Sequence, residues 1–169
     1  DIRIVDSSDI TIRNSQMVGE ASGFANSRWA DDMLEAYNVR GLTFANNDVS
    51  NYFFGLNIHR SADVVVEGNN LHAIQGDGMR FSADKGVTIE NNWFHDFLGS
   101  DGNINHNDYV QFWTAGTNTP STDIVIRGNL LANTSGTESQ PGGRPFSARC
   151  LAKMTSCRTR PSIFTPNAS

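Results

Sequence analysis

The sequence predicts an all-β fold in which short strands repeat along the chain and stack as a solenoid. One pattern occurs twice, as Asp63-Val-Val-Val-Glu-Gly-Asn-Asn-Leu71 and as Gly86-Val-Thr-Ile-Glu-Asn-Asn-Trp-Phe94. The copies start 23 residues apart, at residues 63 and 86, and a further strand-like piece, Gly78-Met-Arg-Phe81, lies between them. A period of this length with several short strands in it is typical of a stacked β-solenoid.

The first strand of the pattern occurs five times, which predicts about five coils. Alternation along each copy directs two apolar side chains inward and one Thr or Val outward. The five copies are Asp9–Ile12, Gly41–Phe44, Asp63–Val66, Gly86–Ile89 and Asp123–Ile126.

A polar turn follows each copy. Asn tolerates the left-handed backbone of a tight turn and bonds to its own chain, and stacked amides can pass hydrogen bonds from coil to coil. We therefore interpret these turns as a structural ladder. The turns are Asn14-Ser15, Asn46-Asn47, Gly68-Asn69, Asn91-Asn92 and Gly128-Asn129, and the apolar residues that follow and close the core are Met17, Val49, Leu71, Phe94 and Leu131.

A second strand precedes four of these copies, and its outward side chains are of another kind. These strands are Met33–Ala36, Gly55–Ile58, Gly78–Phe81 and Tyr109–Phe112. Their outward residues form a charged and amide-bearing column of Glu35, Asn57, Arg80 and Gln111, flanked by Tyr37, His59, Ser82 and Trp113. Long connections on either side of two short ones would wall a groove over this column, because long loops are usually functional. We expect this face to be the working surface.

Charge and composition exclude several kinds of partner. Residues 1–140 hold all 18 acidic residues and 8 of the 13 basic ones, whereas residues 141–169 hold the other 5 basic residues. An acidic body argues against binding to nucleic-acid phosphates. No apolar run approaches the roughly 18 residues that a membrane-spanning helix needs. We therefore expect neither nucleic acid nor a membrane as a partner.

The repeat stops after Gln140, which divides the chain into a parallel β-solenoid at residues 1–140 and an atypical tail at residues 141–169. The tail holds both cysteines and 4 of the 5 prolines, and it has no alternating run where another strand is due. A shifted reading frame or a truncated gene would produce such a change, and a positively charged C-terminal cap is the alternative. Because the chain begins with Asp rather than Met, we expect it to be an incomplete portion of a longer protein.

The run from Gly78 to Phe97, and the later run from His106 to Asn129, resemble right-handed parallel β-helix proteins, closest to the pectate lyase-like and mannuronan C5-epimerase-like group. The resemblance covers residues 1–140. It implies a right-handed parallel β-helix, a secreted location, and processing of an acidic polysaccharide such as alginate or pectin by β-elimination or C5 epimerisation. The Asp-Pro-His motif of the epimerases and the Gly-Gly-x-Gly-x-Asp calcium repeats do not occur in this sequence. The catalytic residues of the family are therefore not transferred.

Two alternatives stay open at this point. One is a non-catalytic carbohydrate-binding or adhesin solenoid, which the missing epimerase motif favours. The other is a glycoside hydrolase of the polygalacturonase type, which needs paired carboxylates. Asp77 and Asp108 lie one coil apart in the repeat and could form such a pair.

Polyuronate lyases and C5-epimerases neutralise the substrate carboxylate, abstract the C5 proton and stabilise the charge that results. We expect Arg80 to be near the middle of the site. The candidate catalytic residues are Arg80, His106 and Tyr109 as base and acid, and Asp108 and Asp77 to orient them. The candidate substrate-binding residues are Glu35, Asn57, Gln111, Trp113, Tyr37 and His59, of which the last three could stack on sugar faces.

Calcium is the one cofactor that the sequence suggests. Asp101, Asn103 and Asn105 space oxygen ligands at alternate positions, as a calcium loop does. The run lacks the central Gly and the distal Glu of such loops, and Asx-turns explain it equally well. Separately, His72 and His95 occupy equivalent positions on adjacent coils and should stack.

Overall fold

The computed structural model describes residues 1–20, 32–98, 108–114 and 116–132. They form thirteen β-strands. None of the described residues belongs to a helix that is long and apolar enough to cross a membrane. The predicted tail at residues 141–169 lies outside the described residues, so its boundary stays a prediction.

The strands divide into five coils. Coil 1 contains β1 (Ile2–Arg13) and β2 (Gln16–Val18), and coil 2 contains β3 (Asp32–Ala45) and β4 (Asp48–Ser50). Coil 3 contains β5 (Phe54–His59), β6 (Ala62–Glu67) and β7 (Asn70–His72). Coil 4 contains β8 (Met79–Ser82), β9 (Lys85–Glu90) and β10 (Trp93–His95), and coil 5 contains β11 (Val110–Phe112), β12 (Thr122–Arg127) and β13 (Leu130–Ala132).

Every strand pairs in parallel with the equivalent strand of the next coil. One sheet has eight strands, in the order β11-β8-β5-β3-β6-β9-β12 with β1 beside β3, and the other has five, in the order β13-β10-β7-β4-β2. β3 pairs with β5 through its first half and with β6 through its second half, so each coil has three sides. We call them the groove face (β11, β8, β5 and the first half of β3), the Thr/Val face (β12, β9, β6 and the second half of β3) and the third face (the five-stranded sheet). The predicted parallel β-solenoid of five coils is confirmed.

The predicted inward residues form the core. In the middle coils they are fully buried, namely Leu34, Ala36, Leu42, Phe44, Leu56, Ile58, Val64, Val66, Met79, Phe81, Val87 and Ile89. Ile126 and Leu131 pair in register with Ile89 and Phe94. They are nevertheless 44% and 45% exposed, because they belong to the last coil that the structure describes.

The predicted ladder runs through Asn47, Asn69, Asn92 and Asn129. The Nδ2 of each of the first three donates to the Oδ1 of the next, at 3.1, 2.9 and 2.9 Å. Each accepting Oδ1 also receives the backbone N–H of the preceding Asn, at 2.9 Å in all three cases. The first residue of each predicted turn has a left-handed backbone, with φ between 53° and 64°. These residues are Asn14, Asn46, Gly68, Asn91 and Gly128. The predicted left-handed turns and the predicted ladder of Asn side chains are therefore confirmed.

A second polar ladder, which the sequence analysis missed, lies at the corner that follows the groove face. Ser61 Oγ accepts the Val39 N–H at 3.1 Å, Asp84 Oδ1 accepts the Ser61 N–H at 2.7 Å, and Ser121 Oγ accepts the Asp84 N–H at 3.1 Å. Asp84 Oδ2 also accepts the Ser82 N–H at 2.7 Å. Coil 4 thus has a carboxylate where its neighbours have a hydroxyl. Burial raises the pKa of Asp84 to about 7, although the two N–H donors oppose that shift.

We expect Asp84 to make stability depend on pH. Its pKa is about 7 in the folded chain and near 3.8 in the absence of the fold, so the folded state binds the proton more tightly. This contribution to the free energy of unfolding is fully present below pH 3.8 and is lost as the pH rises to about 7. The variant Asp84→Ser restores the repeat hydroxyl. Urea unfolding at several pH values should show wild type losing stability relative to Asp84→Ser across this range, and a pH-independent difference would contradict the assignment.

Candidate functional site

The predicted column of outward side chains is present on the groove face. Glu35 pairs in register with Asn57, Asn57 with Arg80, and Arg80 with Gln111. Neighbouring strands in a sheet lie about 4.8 Å apart, so four stacked residues span roughly 15 Å. The four side chains therefore form one continuous strip across coils 2 to 5. The two long connections predicted to wall this strip lie largely outside the described residues.

Arg80 is held in the middle of the strip from two directions. Its Nη2 donates to Asp32 Oδ1 at 3.3 Å, and its guanidinium carbon lies 3.7 Å from the centroid of the Phe54 ring. Asp32 Oδ2 accepts a second hydrogen bond from Asn57 Nδ2, at 2.7 Å. A guanidinium that is both paired with a carboxylate and stacked on a ring has little freedom of direction. One carboxylate thus fixes the two central donors of the site.

Asp32 and Phe54 are site residues that the sequence analysis missed. They pair in register at the start of β3 and β5, three positions before Glu35 and Asn57. Alternation identifies inward and outward residues within a strand, whereas Asp32 and Phe54 are the first residues of β3 and β5. An acidic residue and an aromatic residue at equivalent positions of adjacent coils were the signal that could have found them.

Three buried polar atoms of the groove face have no hydrogen-bond partner among the described residues. They are Asn57 Oδ1, Arg80 Nε and Trp113 Nε1, and the fourth such atom in the described part of the chain is Gln75 Oε1. A buried polar atom left unpaired costs about 1–3 kcal/mol, and native proteins contain few of them. Their concentration marks the groove face as the place where the fold leaves polar groups unsatisfied.

A second column runs beside the first and contains His59. Tyr37, His59 and Ser82 pair in register, and Trp113 follows the last residue of β11. Because Ser82 is small, the Trp113 ring reaches across coil 4 to the His59 ring, with centroids 5.6 Å apart and planes at 71°. Burial lowers the pKa of His59 from its ordinary value of 6.5, and the positive charge of Arg80 acts in the same direction. His59 is therefore a neutral imidazole at neutral pH.

Asp77 and Asp108 are buried, at 6% and 3% exposure, and hold the chain that leads into β11. Asp77 Oδ1 accepts the Asp108 N–H at 2.9 Å, and Asp108 Oδ2 accepts a hydrogen bond from Gln111 Nε2 at 3.2 Å. The sequence analysis proposed them as orienting residues or as a carboxylate pair. Asp77 thus holds the backbone at Asp108, and Asp108 holds the side chain of Gln111 in the column. Their predicted catalytic roles stay predictions.

Tyr109 is placed in the core. It is 7% exposed, and its ring lies 4.8 Å from the ring of Phe97 and 5.8 Å from that of Phe94. Burial raises the pKa of the Tyr109 hydroxyl, and the charge of Asp96 adds to this effect. Its predicted role as catalytic acid stays a prediction.

Glycines at the start of β5 and β8 allow three coils to approach closely here. A Cβ on Gly55 would lie 2.1 Å from the carbonyl oxygen of Gly78, and one on Gly78 would lie 2.7 Å from that of Tyr109. Gly55 and Gly78 instead donate their N–H groups to the carbonyls of Asp77 and Asp108, at 3.0 and 2.8 Å. The Gly76–Arg80 connection thus serves to place Arg80.

The remaining predicted site residues, His106 and the calcium candidates Asp101, Asn103 and Asn105, lie outside the described residues. Within the described ranges, no group of three or more His, Cys, Asp or Glu side chains could hold a metal ion. His72 and His95 stack as predicted, with centroids 5.0 Å apart and planes at 5°. Their ring nitrogens are engaged by neighbours, namely Asp48, Asn70 and Asp96. Calcium binding stays a prediction.

The sequence matches the model of one known protein family. The family model described as "right handed beta helix region" matches residues 32–153, which is more than half of the chain. The chain belongs to the right-handed β-helix family. The match to this β-helix family includes the groove face from coil 2 onward and extends past residue 140. Comparisons with curated proteins and with solved structures found no match. The family gives this β-helix its fold and hand but not its activity, because function resides in sites built on a fold.

Proposed function

We propose that this β-helix binds an acidic polysaccharide along the groove face and processes it by β-elimination or C5 epimerisation. The observation that carries the proposal is the fixed position of Arg80, between Asp32 and the Phe54 ring, in the middle of a stacked column of polar side chains. A repeating ligand with a carboxylate on each unit fits a strip with one cation at its centre and amides on both sides.

The chemistry of a polyuronate matches the donors of this strip. A planar carboxylate is recognised by a guanidinium through paired hydrogen bonds. Once the C5 proton has left, negative charge moves onto that carboxylate, and donors fixed in advance stabilise it. Arginine has five N–H donors, and the one described bond to Asp32 uses a single nitrogen. Asn57 and Gln111 stand on either side of Arg80 as further amide donors.

The proposed substrate indicates where the protein acts. Acidic polysaccharides of this kind are extracellular, so we propose that the protein acts as a secreted protein. The body of the chain is acidic, with all 18 carboxylate residues in its first 140 positions. Calcium, which prefers oxygen ligands, could bridge such a body to the carboxylates of the polymer.

A second candidate function is carbohydrate binding without catalysis. The hydrogen bonds that Asp77 Oδ1 accepts from the Asp108 N–H and Asp108 Oδ2 accepts from Gln111 favour it, because a carboxylate oxygen held by a donor is a weaker base. The same hydrogen bonds argue against a glycoside hydrolase, which needs two carboxyl groups facing the scissile bond.

One assay separates these functions. The protein is incubated with alginate, with pectate and with a neutral glycan, each with and without added calcium. We expect action on the acidic polymers alone, seen as unsaturated uronide absorbance for elimination or as proton exchange at C5 for epimerisation. Reducing ends without unsaturation would indicate hydrolysis. Binding with no product would leave the carbohydrate-binding function, and absence of binding to either acidic polymer would contradict the proposal.

A further inference from the structure

His59 lies on the groove face beside Arg80. Asn57 and His59 are alternate residues of β5, so they point to the same side of the sheet about 7 Å apart. Arg80 stacks directly on Asn57. In a uronate the carboxylate carbon is bonded to C5, so the group that removes the C5 proton must stand next to the group that holds the carboxylate. His59 has this relation to Arg80.

The ring nitrogens of His59 differ from those of the other described histidines in their hydrogen bonding. His72 is bonded to Asp48, and His95 is bonded to Asn70 and Asp96. No described residue forms a hydrogen bond with the His59 ring, and the Trp113 ring packs against it with centroids 5.6 Å apart. Ser82, the next residue of this column in the stack, is small, and the Trp113 ring crosses it. His59 itself is half-buried rather than enclosed.

The charges around His59 keep it in the form that a base requires. Burial has the largest effect on the pKa of His59 and lowers it, and Arg80 and Arg60 lower it further, whereas Glu35 and Asp32 oppose them. The net result is a lowered pKa. A free lone pair on the imidazole at neutral pH is the state in which histidine accepts a proton from carbon acids and other substrates.

Resting on the proposed function, we propose that His59 is the catalytic base that takes the C5 proton of the uronate held by Arg80. The C5–H bond breaks, the proton moves to a ring nitrogen of His59, and the electron pair spreads into the carboxylate. In elimination that pair forms the C4–C5 double bond while the C4–O bond breaks, and the departing oxygen takes a proton from water. In epimerisation water delivers a proton to C5 from the opposite face. In both routes His59 then returns its proton to solvent. Neither route consumes an oxidant or a reductant.

The test compares His59→Ala with His72→Ala, which removes a histidine from the third face. Because general base catalysis contributes about 10²- to 10⁴-fold, we expect His59→Ala to lose that much turnover on the polyuronate. Its Kd for the polymer should stay within about threefold of wild type, a difference below 1 kcal/mol. Added imidazole should restore part of the turnover, because it can occupy the space of the missing ring. His72→Ala should retain wild-type turnover. In wild type, the acidic limb of the rate profile should lie below pH 6.5, the ordinary value for histidine.

The outcomes separate the two proposals. Equal turnover in His59→Ala and His72→Ala would overturn the base assignment and leave the proposed function standing. The base assignment would also be overturned if His59→Ala and His59→Gln both lost turnover, weaker binding of the polymer fully explained the loss, and imidazole did not restore it. A wild-type protein that binds the polymer but yields neither product nor C5 exchange would overturn both.

Discussion

Replacing Asn92 by alanine is expected to lower the free energy of unfolding by about 3–5 kcal/mol, because it leaves several buried groups unpaired at about 1–3 kcal/mol each. Asn92 Oδ1 accepts the backbone N–H and the Nδ2 of Asn69, both at 2.9 Å. Asn92 Nδ2 donates to Val66 O and Asn129 Oδ1, also at 2.9 Å. Asn69 and Asn92 are each 1% exposed, so water cannot replace these bonds. The midpoint of urea unfolding, with its slope, measures the change.

The matched control is Asn91→Gly, at the adjacent turn position. Asn91 is exposed and has a φ of 55°, and the equivalent positions in the neighbouring coils are already glycine, Gly68 and Gly128, with φ of 63° and 64°. Glycine adopts this conformation without steric cost, so we expect a change within about 0.5 kcal/mol. Similar losses in both variants would contradict the role given to the ladder.

Arg80→Gln is expected to weaken binding of a polyuronate oligomer by about 10- to 100-fold. A hydrogen bond to a charged group contributes about 1.5–3 kcal/mol, and each 1.4 kcal/mol corresponds to about tenfold in affinity. Wild-type affinity should also fall as salt is added, since part of the attraction is between charges, whereas the variant should depend less on salt. Isothermal titration at low and high ionic strength measures both effects.

Arg127→Gln makes the same change of charge on the Thr/Val face and serves as the control. Arg127 is exposed there and pairs with Glu90 at 2.5 Å, on a different face from the strip that contains Arg80. We expect its affinity for the oligomer to equal that of wild type. An equal loss in both variants would show that net charge alone determines binding, and it would contradict a site centred on Arg80. Thermal unfolding of Arg80→Gln checks that the loss of its bond to Asp32 leaves the fold intact.

Most of the scaffold could be predicted because parallel stacking places the same requirement on every coil. The inward pair Val64 and Val66 and the turn residue Asn69 each recur at the same position of the repeat. A position that faces the core in one coil faces it in the next, so five weak local patterns support one another. The order of the outward column around Arg80 followed from the same register.

The parts that could not be predicted depend on contacts that the repeat does not specify. Asp32 and Phe54 stand before the alternating positions. Asp84 stands between two serines in the second polar ladder. Tyr109 was predicted beside the groove column, and its aromatic ring packs against Phe97 in the core. In each case the outcome depends on side-chain size and burial in three dimensions rather than on period.

Two contacts of the groove face skip a coil. Arg80 in coil 4 reaches Asp32 in coil 2, and Trp113 in coil 5 reaches His59 in coil 3. Strand pairing joins only neighbouring coils in the described sheets, and a stack held by neighbour contacts alone can open one unit at a time from its ends. The skipping contacts tie alternate coils together, so the groove face raises the folding cooperativity of coils 2 to 5. A ligand that holds Arg80 and His59 would therefore slow the local unfolding of end coils that it does not touch.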